Sequence, residues 1–284
     1  MKRKYLYLLL LPMLLTGCNK KKTDDLTIHF ETGYEDINVT DVHTSTVSMP
    51  SITGMNVEGF YKDEYFEEEF NFNNLINEST TIYVKGLKGS GTENDPYIVE
   101  SSNSFNSVAY SGKEFSGVVK VIKDFELAPK ITEEYTSTTF KGTLNGNNHT
   151  INLKVEDNDG VSIGVGETSL LYKTSTEALV KDLNIIGAIN GNTNSVGTIA
   201  NFNYGNINNI KTYGVSMHKS NGYNSGVRLM SEYDEDNTTL IKDFGCVGML
   251  EDLEKGGAGG ICGTNYGSIT NCINFMNINT IPVI

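Results

Sequence analysis

Gly197-Thr-Ile199-Ala-Asn-Phe-Asn203-Tyr204-Gly205-Asn-Ile207-Asn-Asn209-Ile210 recurs as Gly259-Gly-Ile261-Cys-Gly-Thr-Asn265-Tyr266-Gly267-Ser-Ile269-Thr-Asn271-Cys272, with seven of fourteen positions identical at an offset of 62. Upstream, Leu179-Val-Lys181-Asp182-Leu183-Asn-Ile-Ile186-Gly187 matches Leu240-Ile-Lys242-Asp243-Phe244-Gly-Cys-Val247-Gly248 at an offset of 61. Short apolar stretches, glycine turns and asparagines that repeat at one spacing mark a solenoid, in which each unit buries its apolar face only against its neighbours. A period near 61 exceeds one β-helical coil of about 20 to 25 residues, so each repeat is read as two or three coils. Roughly eight coils, stacked about 4.8 Å apart, would span some 40 Å.

Alternation supports this reading. Ile151, Leu153 and Val155 alternate with Asn152 and Lys154, and Leu183 and Ile185 with Asp182 and Asn184, which turns one face inward and the other outward. Gly142, Gly146, Gly205 and Gly267 are expected at corners that need positive φ. Asn203 with Asn265, and Asn209 with Asn271, are expected to form side-chain amide ladders from coil to coil. Phe140-Lys-Gly142-Thr-Leu144-Asn145-Gly146-Asn-Asn148-His-Thr-Ile151 resembles the first coil of right-handed parallel β-helix domains, and the Gly-x-Ile-x-x-x-Asn-Tyr-Gly-x-Ile-x-Asn blocks resemble the GLUG-type repeat. The segment Gly89-Ser-Gly-Thr-Glu-Asn-Asp-Pro-Tyr-Ile98 resembles the lead-in to such domains in bacterial surface proteins. These resemblances imply a parallel β-helix over residues 97–284, preceded by a glycine-rich linker over 87–96.

Residues 26–86 have a different texture. Leu26-Thr-Ile28-His-Phe30 reads as a half-buried strand closed by Gly33, and Thr80-Thr81-Ile82-Tyr83-Val84-Lys85 as another, with Gly59-Phe60-Tyr61 and Phe70-Asn-Phe72 between them. This order is similar to the Listeria and Bacteroides surface repeat, the internalin B-repeat type, with Gly59, Phe60, Tyr61 and Tyr83 standing at its Gly, aromatic and Tyr positions. Phe60 replaces the usual tryptophan, and Gly86 follows Lys85 where another tryptophan is common. The resemblance implies a small β-grasp-like module, so the fold class expected for the whole chain is all-β.

The N-terminus reads as an export address. Lys2, Arg3 and Lys4 precede an apolar run from Leu6 to Leu15 that is too short to span a bilayer. The run ends in Leu15-Thr16-Gly17-Cys18, which resembles the bacterial lipobox. That resemblance implies a signal peptide over 1–17, lipid attachment with palmitate-type acyl chains at Cys18, a solvated tether over 18–25, and a membrane as partner through the lipid; two acyl chains suffice for stable anchoring. Asn19 occupies the place where an Asp would act as a sorting signal.

Charge and residue usage then narrow the function. The chain carries 22 basic and 35 acidic side chains, a net charge of -13 that disfavours nucleic acid as a partner. Beyond Cys18, the cysteines at 246, 262 and 272 form no CxxC pair, so no metal is expected; they read as small buried residues, with a Cys262–Cys272 disulfide as the alternative. His29, His43, His149 and His218 are scattered without a metalloprotease motif. Asp157-Asn-Asp159-Gly160 and Asp234-Glu-Asp236 lack a full calcium loop, and the run Asp63-Glu-Tyr-Phe-Glu67-Glu68-Glu69 reads as a solvated loop or a site for a basic partner. Gly89-Ser-Gly91 has no following Gly-Lys and is not a phosphate loop. Parallel β-helices also carry polysaccharide lyases and hydrolases, which need a base with a calcium cluster or converging carboxylates. The only arginine after the leader is Arg228, and the only adjacent Asp pair, Asp24-Asp25, lies in the tether. The expectation is a non-catalytic, lipid-anchored cell-surface protein with no catalytic residues and no cofactor, presenting a β-helix for adhesion or for binding an extracellular glycan or host surface protein. A carbohydrate-active β-helix enzyme is the alternative.

Overall fold

The computed structural model describes residues 26–153, 155–156, 162–163, 165–166, 168–191, 195–218 and 259–280. In chain order the elements are β1 (Ile28–Glu31), β2 (Asn56–Tyr61), β3 (Thr80–Leu87), β4 (Tyr97–Val99), α1 (Ser102–Ala109), β5 (Glu114–Phe115), β6 (Val118–Val121), β7 (Phe125–Leu127), α2 (Glu133–Ser137), β8 (Thr139–Phe140), β9 (Thr143–Asn145) and β10 (Thr150–Leu153). There follow β11 (Val155–Glu156), β12 (Ser162–Ile163), β13 (Val165–Gly166), β14 (Leu171–Thr174), β15 (Leu179–Gly191), β16 (Ala200–Asn203), β17 (Asn206–His218), β18 (Cys262–Asn265), β19 (Ser268–Thr270) and β20 (Ile273–Thr280). The described residues are mostly strand, with two short helices and extensive parallel sheet: an all-β protein.

β1, β3 and β2 form a small sheet in that order, with β1 parallel and β2 antiparallel to the central β3. Period-2 patterning turns Ile28, Phe30, Ile82 and Val84 to one face, where they bury with Phe60, Val47 and Ile76. The opposite face of β3 meets the rest of the protein.

From β4 onward the chain passes alternately through two parallel sheets. A large sheet stacks β4, β6, β9, β15, β17 and β19 in order, and a five-stranded sheet stacks β5, β8, β14, β16 and β18. The large sheet bends: its second half is β7, β10, and the later parts of β15 and β17, ending on β20. The bend in three successive rungs falls on Asp182, Asn209 and Asn271, with φ of 55°, 52° and 54°. Left-handed backbone is inexpensive only for Gly, Asn and Asp, which explains the residue choice. Between the sheets lies one continuous core, including Val119, Leu144, Val180, Ile207, Ile151, Ile185, Phe140 and Ile199.

Three expectations are corrected here. Asn206 pairs directly with Ser268, and Ile207 with Ile269, so the 62-residue offset is a single rung and not two or three coils. The steps between successive rungs of the large sheet are 22, 25, 36, 27 and 62 residues, from the pairs Tyr97–Val119, Val118–Thr143, Thr143–Leu179, Leu179–Asn206 and Asn206–Ser268. Six rungs among the described residues give about 24 Å at 4.8 Å per step. The partner block of Leu179–Gly187, residues 240–248, lies outside the described residues.

Second, Gly142, Gly146, Gly205 and Gly267 are not among the residues with positive φ. They permit close stacking instead. A Cβ on Gly267 would stand 2.0 Å from the Gly205 carbonyl oxygen, and one on Gly142 2.0 Å from that of Gly117. Third, Cys262 is disulfide-bonded, but not to Cys272, which carries a free thiol.

α1 is buried on nearly every side. A capping box starts it, with Ser101 Oγ accepting from the Ser104 amide and Ser104 Oγ accepting from that of Ser101. Phe105, Val108 and Ala109 enter the core of the large body, while Asn103, Asn106 and Ser107 face the small sheet. There Asn103 donates to the Val84 carbonyl at 3.0 Å and Asn106 to that of Glu64 at 2.9 Å, and the Gly86 amide donates to Ser107. Lys85, 6% exposed, donates to the Tyr110 carbonyl at the C-terminus of α1 at 2.8 Å. Its position suits the negative end of the helix dipole, and burial holds its ammonium below the usual lysine range.

Candidate ligand-binding face

Outward residues on the first half of the large sheet form two columns. Register pairs Ile98 with Lys120, Lys120 with Asn145, Asn145 with Lys181, Lys181 with Asn208, and Asn208 with Thr270. Beside it run Val118, Thr143, Leu179, Asn206 and Ser268. The intervening positions Leu144, Val180 and Ile207 point inward and are fully buried, so alternation alone sets the face. Past the bend, Thr150, Asn184, Lys211 and Ile273 align, as do Glu126, Asn152, Ile186, Tyr213 and Phe275.

Several ladders hold these columns. Asn208 Nδ2 donates to Thr270 Oγ1 at 2.7 Å, and Asn209 Nδ2 to Asp182 Oδ1 at 2.7 Å. At the turn from the five-stranded sheet, Thr174 Oγ1 donates to Asn203 Oδ1 at 2.7 Å, and Asn203 Nδ2 to Asn265 Oδ1 at 2.7 Å. The anticipated amide ladder between Asn203 and Asn265 is therefore present and extends to a threonine. Asn209 and Asn271 share the bend, where Asn209 bonds backwards to Asp182. Tyr204 stacks on Tyr266 at 4.8 Å and 17°, with the Lys173 ammonium 5.2 Å from the Tyr204 ring centre.

The other residues considered in the sequence are dispersed. His29 Nδ1 lies 2.9 Å from Asp41, and His43 Nδ1 3.1 Å from the Leu26 carbonyl. His149 Nδ1 lies 2.8 Å from Asp124, whose carboxyl is held below its usual range first by the Thr150 amide and then by His149. His218 ends β17. The acidic run is a folded loop: Asp63 accepts from the amides of Tyr65, Glu67 and Glu68, Lys130 pairs with Glu67 at 3.1 Å, and Phe66, at φ 63°, is buried in the large core. Cys18, Asp24, Asp25, Asp157, Asp159, Arg228, Asp234, Asp236 and Cys246 lie outside the described residues. Among the described residues no three His, Cys, Asp or Glu side chains cluster to hold a metal, and no helix is long and apolar enough to cross a membrane.

The lysine column and buried Lys85 were not picked out as candidates. Register is the missing information for the column: with unequal rung lengths, no fixed spacing in sequence connects Lys120 to Lys181.

Part of the chain is similar to halomucin. That protein, from Haloquadratum walsbyi, is 29% identical over 157 residues, which cover 49% of this chain and 2% of halomucin. No family model matches the chain. No solved structure matches it.

Proposed function

We propose that residues 97–284 form a right-handed parallel β-helix with GLUG-like repeats, and that 26–86 form an internalin B-repeat-like β module seated on its first rung. In this reading the protein is a non-catalytic lipoprotein, anchored through Cys18 at the extracytoplasmic surface of a bacterial cell. It displays the β-helix for adhesion, by binding an extracellular glycan or a surface protein. Alternate passage through two parallel sheets and the stacked left-handed bends support the helix. The observation that carries the binding role is the uninterrupted polar column Lys120–Asn145–Lys181–Asn208–Thr270 on the outer sheet face. Rigid strands hold such side chains in place without an ordering cost on binding.

The test uses the full-length protein in detergent. It is passed over immobilised uronate and neutral polysaccharides while chain shortening and unsaturated products are followed. Retention without turnover is expected; turnover would overturn the non-catalytic reading. Cys18→Ala is expected to shift the protein from the membrane fraction to the soluble fraction, and an unchanged distribution would overturn the lipid anchor.

A further inference from the structure

Eleven lysines lie among the described residues. Six pair with carboxylates: Lys62, Lys88, Lys113, Lys123, Lys130 and Lys141. Lys85 is buried on the Tyr110 carbonyl. The remaining four, Lys120, Lys173, Lys181 and Lys211, have no carboxylate partner among the described residues. All four belong to the stacked sheets, and none to the acidic module. In a chain of net charge -13, lysines of one body that pair with no carboxylate among the described residues mark a place where an anion from outside would be accepted.

Their neighbours support the same conclusion. In register with Lys120 and Lys181 stand Asn145, Asn208 and Thr270, flanked by Thr143, Asn206 and Ser268. Lys211 lies beside Asn184 just past the bend. The carboxylate nearest the column in sequence is Asp182 at the bend, where Oδ1 is occupied by Asn209. Further along the outer face stands Glu126. Lys120 and Lys181 are two rungs apart, about 10 Å along the stack. A surface of spaced ammonium groups set among amides and hydroxyls is complementary to a polymer that alternates carboxylates with hydroxyls.

We infer that the outer face of the large sheet binds an acidic polysaccharide, a uronate-bearing chain running along the stack across the strands, with Lys120 and Lys181 pairing its carboxylates and Asn145, Asn208 and Thr270 its hydroxyls. Lys211 stands just past the bend of the same sheet, while Lys173 lies on the five-stranded sheet, over the Tyr204 ring. A polynucleotide is the rival polyanion, and its binding is one of the outcomes that the test reads. The inference rests on the glycan-binding reading above and names its substrate class.

The experiment measures binding of the full-length protein in detergent to polygalacturonate, to the same polymer with its carboxyls reduced to alcohols, to dextran and to single-stranded DNA. The comparison is made for the wild type, Lys120→Glu/Lys181→Glu, Lys120→Gln/Lys181→Gln, and Lys88→Gln as a control, each shown folded by its melting curve. Polygalacturonate is expected to bind best, to lose affinity with added salt, and to weaken about tenfold or more in the charge reversal, where two exposed attractions become repulsions. The Gln pair should fall between, and Lys88→Gln should bind as wild type. Equal binding to the carboxyl-reduced polymer, or no effect of the reversal, would overturn the inference while leaving a glycan-binding role intact. Stronger binding to DNA would also overturn it. Retention on none of the polymers would overturn both readings.

Discussion

The small N-terminal sheet and the stacked rungs are held together in different ways. Rungs adhere through side chains that meet at equivalent places on neighbouring strands: Asn203 with Asn265, Asn208 with Thr270 and Tyr204 with Tyr266. The N-terminal module is attached through contacts that occur once. The Tyr34 hydroxyl donates to the Ile98 carbonyl at 2.8 Å, the Tyr65 hydroxyl to that of Ala128 at 2.9 Å, Ser101 Oγ to that of Gly33 at 2.8 Å, and Lys85 reaches the end of α1. Charge separates the two as well. Residues 26–86 carry 11 acidic and 2 basic side chains, whereas 97–218 carry 12 and 9. A stack of rungs leaves its first core layer and strand edge open, and the module with α1 covers that end. The module is thus an integral cap and not a spacer on a loose linker. The intervening loop is itself bonded, with the Val118 amide donating to the Gly91 carbonyl.

High pH should break this comparison most strongly. Burial raises the phenols of Tyr34, Tyr110 and Tyr135 above their ordinary 10.0. They keep their protons in the folded state while the unfolded chain ionises, so their contribution is complete below pH 10 and is lost as pH rises beyond it. Each buried phenol costs up to about 1.4 kcal/mol per pH unit there. Lys85 acts in the opposite sense just below pH 10.5, because its depressed value relieves a penalty as it deprotonates. Since Tyr34 and Tyr110 are at the cap and Tyr135 is inside the stack, thermal melts above pH 10 should lose cap and stack in one transition. Two separate transitions would show that the cap is dispensable.

Phe66→Ala is next, removing a fully buried ring that the cap inserts into the stack core. A loss of about 3–5 kcal/mol in urea unfolding is expected, with protease cleavage appearing in the 62–70 loop. A loss below 1 kcal/mol would mean that the cap contributes little to stability. Asn203→Ala tests the ladder instead. It leaves Thr174 and Asn265 without their shared partner inside the protein, at about 1–3 kcal/mol. Hydrogen exchange should rise in β14, β16 and β18 and stay constant in β1 to β3. The smallest effect is at the bend: Asn209→Gly and Asn209→Ala both lose the bond to Asp182, and Ala should cost about 1 kcal/mol more than Gly, because φ is 52° there. Equal melting temperatures for the two variants would show that the bend does not select its residue.

Repetition made the stack legible in sequence, and alternation at Ile151–Leu153 and Leu183–Ile185 identified its inward face. The ladder at Asn203 and Asn265 was readable because equal residues recur at equal places. Rung length was not, since the number of residues between two strands does not reveal that they are neighbours in register. α1 was missed because it is only eight residues long and carries three apolar residues at helical spacing, Phe105, Val108 and Ala109, among serines and asparagines that also suit a loop. The acidic run read as solvated, and only its fold reveals that Asp63 bends the loop to bury Phe66.

The amino-acid sequence by itself determined the class of structure: strands patterned with period 2, a repeated Asn-Tyr-Gly turn, and asparagines suited to left-handed bends, all properties of neighbouring residues. Which residues stand side by side across rungs, and which surface the cap covers, was decided by tertiary structure. Register is a relation between distant segments, and it is set by the simultaneous burial of every inward side chain. That relation places Lys120, Asn145, Lys181, Asn208 and Thr270 in one line although they are separated by 25, 36, 27 and 62 residues along the chain.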